Sequence, residues 1–409
     1  MNLDSLSRDY LALSFGIGRH LPGYVDSYFG PAEVRENTAA AEPATPEGLL
    51  EQAEVLAEQV ADGEGPPDRL GFLGAQARAM IATCRKLAGD DLSYADEVRG
   101  CFDIAPTRTP EAVFEQAIAE LDDLLPGDGP VRERMVAWRR RFEVAPEVAR
   151  TLLDVVMPEV RRRTLEVVDL PPEEAVEFAF VSDKPWSGYN WYLGRSRSRV
   201  ELNTDLPIRA NALTGLICHE AYPGHHTEWT LKEHHLYREL GLGEFAIQLI
   251  HTPQAVIAEG IATLAESILF PDGDLHRWQA EHLYPLAGLE GDPERETRLD
   301  AAQRALRAVN ANAALLLHAD GAPEDEVVAY IARYGLRDEP EARQNLRFIA
   351  DPLWRAYVFT YHAGRDLLGR WLSNGSRTER FRTLLTEPVW PSEVEGWIAA
   401  EAGERATPR

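Results

Sequence analysis

The segment His219-Glu220-Ala221-Tyr222-Pro223-Gly224-His225-His226 puts three imidazoles and one carboxylate within eight residues of a 409-residue chain. These are the groups that hold a catalytic zinc: His and carboxylate ligands, one position left for water, and a base nearby. The familiar helical form is His-Glu-x-x-His, in which positions i and i+4 share a face and the intervening Glu reaches the water. His219-Glu220 fits, but i+4 is Pro223, whose ring collides with the preceding turn and which has no amide hydrogen to donate. The spacing predicts a helix that kinks or loosens at Pro223-Gly224. Loosening by two residues brings His225 into the place of i+4, and one residue more brings His226. His225 needs the smaller distortion and is preferred as second ligand, with His226 as the alternative. Ala212, Leu213, Leu216 and Ile217 form an apolar helical face ahead of the motif. The polar groups that follow are therefore drawn into a buried setting, where something must satisfy them.

A third ligand is expected from a neighbouring helix. Glu259 stands in Val256-Ile257-Ala258-Glu259-Gly260-Ile261-Ala262, an acid among apolar and small residues, and Gly260 and Ala262 permit close helix approach. Glu228, one turn after His225, and His251, just before this helix, are competitors. Glu266, two turns beyond Glu259, is a candidate to orient a ligand imidazole.

The elements that must position these groups are mostly helical. Breaker-rich stretches at 36–48 and 61–69 read as loops. Thr109-Pro110-Glu111 supplies a cap, a first-turn proline and an acid for a helix bearing Val113, Phe114, Ala117, Ile118, Leu121 and Leu124. Pro146, Thr252-Pro253 and Pro323 open others. The pattern changes before the motif. Val176, Phe178 and Phe180 alternate with Glu177 and Ala179 as in a strand, and Trp191-Tyr192-Leu193, Gly194 to Arg199 and Val200 to Thr204 read as a hairpin with a polar tip. The fold class is thus mainly α with one small sheet beside the metal helix. An N-terminal helical lobe at 1–170 and a catalytic region at 171–409 are expected to act as one unit.

Composition narrows the partners. Sixty-seven Asp and Glu against 42 Lys and Arg give a formal net charge of -25. Such a surface repels phosphate backbones and anionic lipids, so nucleic acid and membrane are not expected as partners. The start has no signal-peptide pattern, no apolar run is long enough to span a bilayer, and Cys84, Cys101 and Cys218 lack paired spacing. A cytoplasmic location is expected.

The string His-Glu-Ala-Tyr-Pro-Gly-His-His resembles the hallmark of the bacterial family called domain of unknown function 885, placed among zincin-like metallopeptidases. Ala258-Glu259-Gly260 with Ile261 to Glu266 resembles its Glu-Gly helix, Tyr361-His362-Ala363-Gly364 its late Tyr-x-x-Gly element, and Val200 to Thr204 the Asn-Thr strand before the metal helix. The resemblance covers roughly residues 175 to 370. It implies a gluzincin-type, two-lobed helical fold around a cleft, Zn2+ as cofactor, and Glu259 as third ligand beside His219 and His225. Similar helical zinc peptidases carry an acid four residues after the ligand Glu, where this chain has Thr263.

The chemistry expected is metal-assisted attack of water on an amide carbonyl, with Glu220 as general base and then acid. Tyr361 is the candidate donor to the oxyanion. Short peptides are the expected substrates, cleaved by carboxypeptidase or dipeptidase action. Hydrolysis of a non-peptide amide in specialised metabolism and a non-catalytic metal-binding scaffold are the alternatives. Arg195, Arg197 and Arg199 are read chiefly as a solvated turn, with capture of a substrate carboxylate as the other use. Trp186, Tyr189, Trp191 and Tyr192 are candidates to line a pocket. Cys218 is read as packing.

Overall fold

Prolines in first helical turns punctuate the chain. In the computed structural model, which describes residues 3–184, 186, 188–205, 207–271 and 273–406, Pro46, Pro67, Pro146, Pro253 and Pro293 each begin a helix. An amide hydrogen is not needed there. Thr45 and Thr252 cap two of these helices by accepting from the amides of Gly48 and Ala255. Thr109 does not act as a cap. The helix Glu111–Leu124 starts after Pro110, and the Asn312 side chain holds the Thr109 amide and carbonyl at 2.9 and 2.8 Å. A tertiary partner has displaced the local one. The expected loops at 36–48 and 61–69 are shortened, because the helices Ala32–Ala40, Pro46–Ala61 and Pro67–Leu87 extend into them.

The chain is mainly helical, with three small sheets among the described residues. In the largest, the strand Arg197–Asn203 lies in the middle, parallel to Ala175–Val181 and antiparallel to Gly188–Gly194. The hairpin tip is tighter than expected. Arg195 and Ser196 alone make the turn, each with φ of 56°, as a two-residue hairpin loop requires. Arg197 and Arg199 belong to the strand and pair with Glu177 at 2.7 Å and Glu201 at 2.9 Å on its exposed face. Elsewhere, Val25–Tyr28 pairs antiparallel with Ile247–Leu249, with a register break that leaves Asp26 as the extra residue between the pairs Val25–Leu249 and Ser27–Gln248. Glu143–Val144 pairs with Ile208–Arg209.

The largest apolar core draws on both sides of residue 170. Leu152, Val156 and Val160 pack in it with Ile217, Ile257, Ile261 and Leu368. A second core joins Leu11, Ile17, Leu56 and Leu73 to Leu236, Phe245 and Ile247. Cys218 lies in the first core, and all three cysteines are buried and free. No helix among the described residues is long and apolar enough to cross a membrane.

Candidate metal centre

The helix Ala210–Glu220 ends on its His-Glu pair, and a second helix, His225–Lys232, starts at the next histidine. The expected kink is a full break, turned through Ala221–Gly224 with a cis Tyr222–Pro223 bond. The Gly224 amide donates to the Cys218 carbonyl at 3.0 Å. A Cβ at position 224 would overlap the His219 carbonyl oxygen, so the turn closes this tightly only around glycine. Thr227 steadies it by donating its amide and its hydroxyl to the Ala221 carbonyl, both at 3.2 Å. The outcome is a pair of imidazoles, His219 and His225, with ring centroids 4.8 Å apart and planes nearly perpendicular.

The third group arrives from the helix Pro253–Leu269. Glu259 Oε2 lies 3.4 Å from His219 Nε2, and its Oε1 lies 3.8 Å from His225 Nε2. Two glycines explain why the neighbouring helix Val358–Leu372 can lie against it. A Cβ on Gly260 would come within 2.8 Å of the Gly364 carbonyl oxygen, and one on Gly364 would collide with the Val256 carbonyl. This crossing sets Tyr357 and Tyr361 beside Glu259. The Tyr357 hydroxyl donates to Glu259 Oε1 at 2.7 Å.

Among the described residues Glu259 Oε2 accepts no hydrogen bond, although its side chain is only 5% exposed. A buried carboxylate oxygen without a partner costs about 1–3 kcal/mol or more, and a cation shared with two imidazoles would relieve it. One ligand atom from each of His219, His225 and Glu259 lies within 4.8 Å of the others. Two imidazoles and one carboxylate, with Glu220 next in sequence, form a donor set that fits a catalytic zinc.

The electrostatics agree with that use. Burial lowers the His219 pKa to about 4, against a hydrogen bond to the Ala262 backbone, and burial with His219 nearby takes His225 well below its ordinary value. Both rings are neutral and ready to donate lone pairs. Burial raises Glu259 to about 8 against the Tyr357 bond, and burial with Glu259 and Asp26 nearby raises Glu220 to about 8. A cation among these groups would restore their charged forms.

The remaining candidates divide clearly. His226 is fully buried and faces away, with Nδ1 2.9 Å from Ser198 Oγ and Nε2 3.0 Å from Glu174 Oε2. Glu228 pairs with Lys232 at 2.5 Å and accepts from Gln254 at 3.1 Å, and His251 bonds the Leu353 carbonyl at 2.8 Å. Glu266 lies against Gly215, one turn before His219, and the Ala262 backbone takes the orienting role expected of it. Thr263 turns its hydroxyl back to the Glu259 carbonyl at 2.7 Å. Tyr361 is half-buried, stacks edge-on against Tyr357 at 5.6 Å, and makes no hydrogen bond among the described residues. Trp186, Tyr189 and Trp191 form a row of rings at 5.4 and 4.7 Å, whereas Tyr192 is buried and bonded to Glu233.

Two participants were missed in the sequence. Tyr189 donates its hydroxyl to Asp26, and both lie within electrostatic reach of Glu220. Asn190 Nδ2 holds the Glu220 carbonyl at 2.5 Å. The hairpin reading began at Trp191 and so left out Asn190, and no pattern in Val25–Tyr28 marked Asp26.

No family model matches this chain, and no curated protein does. Among solved structures, the crystal structure of a candidate lipoprotein from Colwellia psychrerythraea has a TM-score of 0.54 at 16% identity, covering 87% of this chain and 70% of that one. A candidate lipoprotein of unknown function from Shewanella oneidensis has a TM-score of 0.48 at 13% identity, covering 96% and 82%. The first likeness shows a shared fold.

Proposed function

We propose that this chain is a zinc-dependent hydrolase of the zincin-like, gluzincin type that cleaves short peptides, by carboxypeptidase or dipeptidase action. The observation that carries the reading is the convergence of His219, His225 and the partnerless oxygen of Glu259 at one buried point, with Glu220 alongside.

His219, His225 and Glu259 would hold the ion, which when bound supplies Lewis acidity and brings a water toward ionisation near neutral pH. Glu220 takes the proton from water onto a carboxylate oxygen and returns it to the leaving amine nitrogen. Its backbone is fixed for this task by the Asn190 amide on its carbonyl. The Tyr361 hydroxyl stays protonated, because burial and the adjacent Glu259 and Glu220 push its pKa far up. It therefore remains a donor to the carbonyl oxygen as that atom gains charge. Tyr357 orients Glu259 and touches no substrate.

We also propose a cytoplasmic location, supported by three free, buried thiols. The likeness to a candidate lipoprotein names the alternative, a domain tethered at an envelope surface.

Metal analysis of the purified protein is expected to find about one zinc per chain. Glu220→Gln should keep that metal and lose about 10²- to 10⁴-fold in turnover of a short peptide. A folded protein that binds no zinc would remove the hydrolase reading, and turnover retained in the variant would remove Glu220 as base.

A further inference from the structure

Asp26 lies on the short strand Val25–Tyr28, more than 190 residues before the metal motif. It is the extra residue of a bulge, and bulges re-aim side chains, often beside active sites. Here the bulge turns the carboxylate toward Tyr189, which donates its hydroxyl to it. Ser27 ties the two strands together by donating to the Tyr192 carbonyl at 2.7 Å. Asn190, next to Tyr189, holds the Glu220 carbonyl. Through this strand Asp26 and Tyr189 come within electrostatic reach of Glu220. Glu220 is itself only 7% exposed.

The charges around these residues have one sign. The charged groups acting on Glu220 are Glu259 and Asp26, and those acting on Tyr361 are Glu259 and Glu220. Among the described residues no Lys or Arg acts on Asp26, Glu220 or Tyr361. Arg197 and Arg199 are committed to Glu177 and Glu201, and Lys184 lies over the Trp186 ring at 5.9 Å. A carboxypeptidase must bind a substrate carboxylate close to the bond it cuts, and an acidic wall opposes this. An amino-terminal exopeptidase must bind an ammonium two bonds from the scissile carbonyl carbon, which calls for an acid near the general base.

We propose that Asp26, oriented by Tyr189, receives the free amino group of the substrate, so that the site selects peptides with an unblocked amino terminus, dipeptides included. This rests on the hydrolase reading, keeps its dipeptidase form, and replaces carboxypeptidase action with removal of an amino-terminal residue. Asp26 is then a specificity-determining residue that leaves the metal set untouched.

The test uses zinc-loaded protein and trialanine in three forms: free, N-acetylated and C-amidated. The free and C-amidated peptides should be cleaved at similar kcat/KM, and the N-acetylated peptide should fall by about 30-fold or more, as for loss of a desolvated charge pair. Asp26→Asn should lower kcat/KM for the free peptide by a similar factor and bring the ratio of free to N-acetylated peptide close to one. Equal cleavage of free and N-acetylated peptide overturns the proposal, as does loss of activity on C-amidation. The three-peptide comparison on the unaltered protein decides the matter even where Asp26→Asn fails to fold. If zinc is bound and no peptide is cleaved, the hydrolase reading fails, and the amine site is then read separately by calorimetry with alanine amide and N-acetylalanine amide. Heat that requires the free amine and disappears in Asp26→Asn supports it, and absence of such heat overturns it.

Discussion

His225 and His226 are neighbours in sequence with opposite surroundings. One faces His219 and Glu259, while the other is locked between Ser198 and Glu174. His225→Ala is therefore expected to abolish zinc binding. His226→Ala should retain zinc and lower the unfolding free energy by about 1–3 kcal/mol, because Glu174 loses a buried partner; metal analysis alongside a urea titration separates the two. Tyr357→Phe removes the hydrogen bond that the Glu259 carboxylate accepts, and zinc affinity should fall about 10- to 100-fold in a competition titration with a chelator. At this scale much was legible beforehand. An acid inside an apolar helix and a proline-interrupted His-Glu string carry their meaning within a few residues. Tyr357 and Tyr361 were harder to separate, because they sit one turn apart on the same helix. Asp26 was hidden because its partner Tyr189 lies more than 160 residues away.

At the scale of elements, the centre depends on two places where backbones nearly touch. Gly364→Ala would drive a methyl into the Val256 carbonyl and force apart the helices carrying Glu259 and Tyr357. The expected cost is about 1–3 kcal/mol or more, together with weaker zinc binding, since strain and ligand orientation share that contact. Stability loss with unchanged zinc affinity would show that the crossing does not position Glu259. Helix starts at Pro46, Pro146 and Pro253 were readable because the fixed φ of proline suits a first turn in any context. The Thr109 cap was not, since the Asn312 side chain competes for the same backbone. The turn at Ala221–Gly224 was foreseen as a loosening, but a separate second helix required the tertiary support that Thr227 and the buried His226 provide.

Across the whole molecule, acid has a defined point of attack. Burial alone would raise the Glu174 pKa, but bonds from His226, Tyr222 and Arg161 prevail and lower it to about 2 from an ordinary 4.5. A depressed carboxyl stabilises the fold above its unfolded pKa, and that contribution disappears as pH falls through the folded value. Glu174 should thus lend on the order of 2 kcal/mol at neutral pH, less than the full shift because Arg161 is partly in solvent. The contribution should be lost between about pH 5 and pH 2. Urea midpoints measured across that window should flatten in Glu174→Gln; an unchanged slope would count against this role. The formal charge of -25 is spread over a chain whose candidate site is also acidic. Capture of cationic peptides should accordingly slow as salt rises from about 10 to 150 mM, visible in kcat/KM.

The bulge at position 26 has one more consequence. It belongs to a strand that supplies none of the proposed metal ligands, so the proposed hydrolytic machinery and the proposed choice of what it consumes are written in separate stretches of the polypeptide. Descendants of such a chain are free to change diet by drift at a single turn of ribbon, with the costly ion cradle inherited intact.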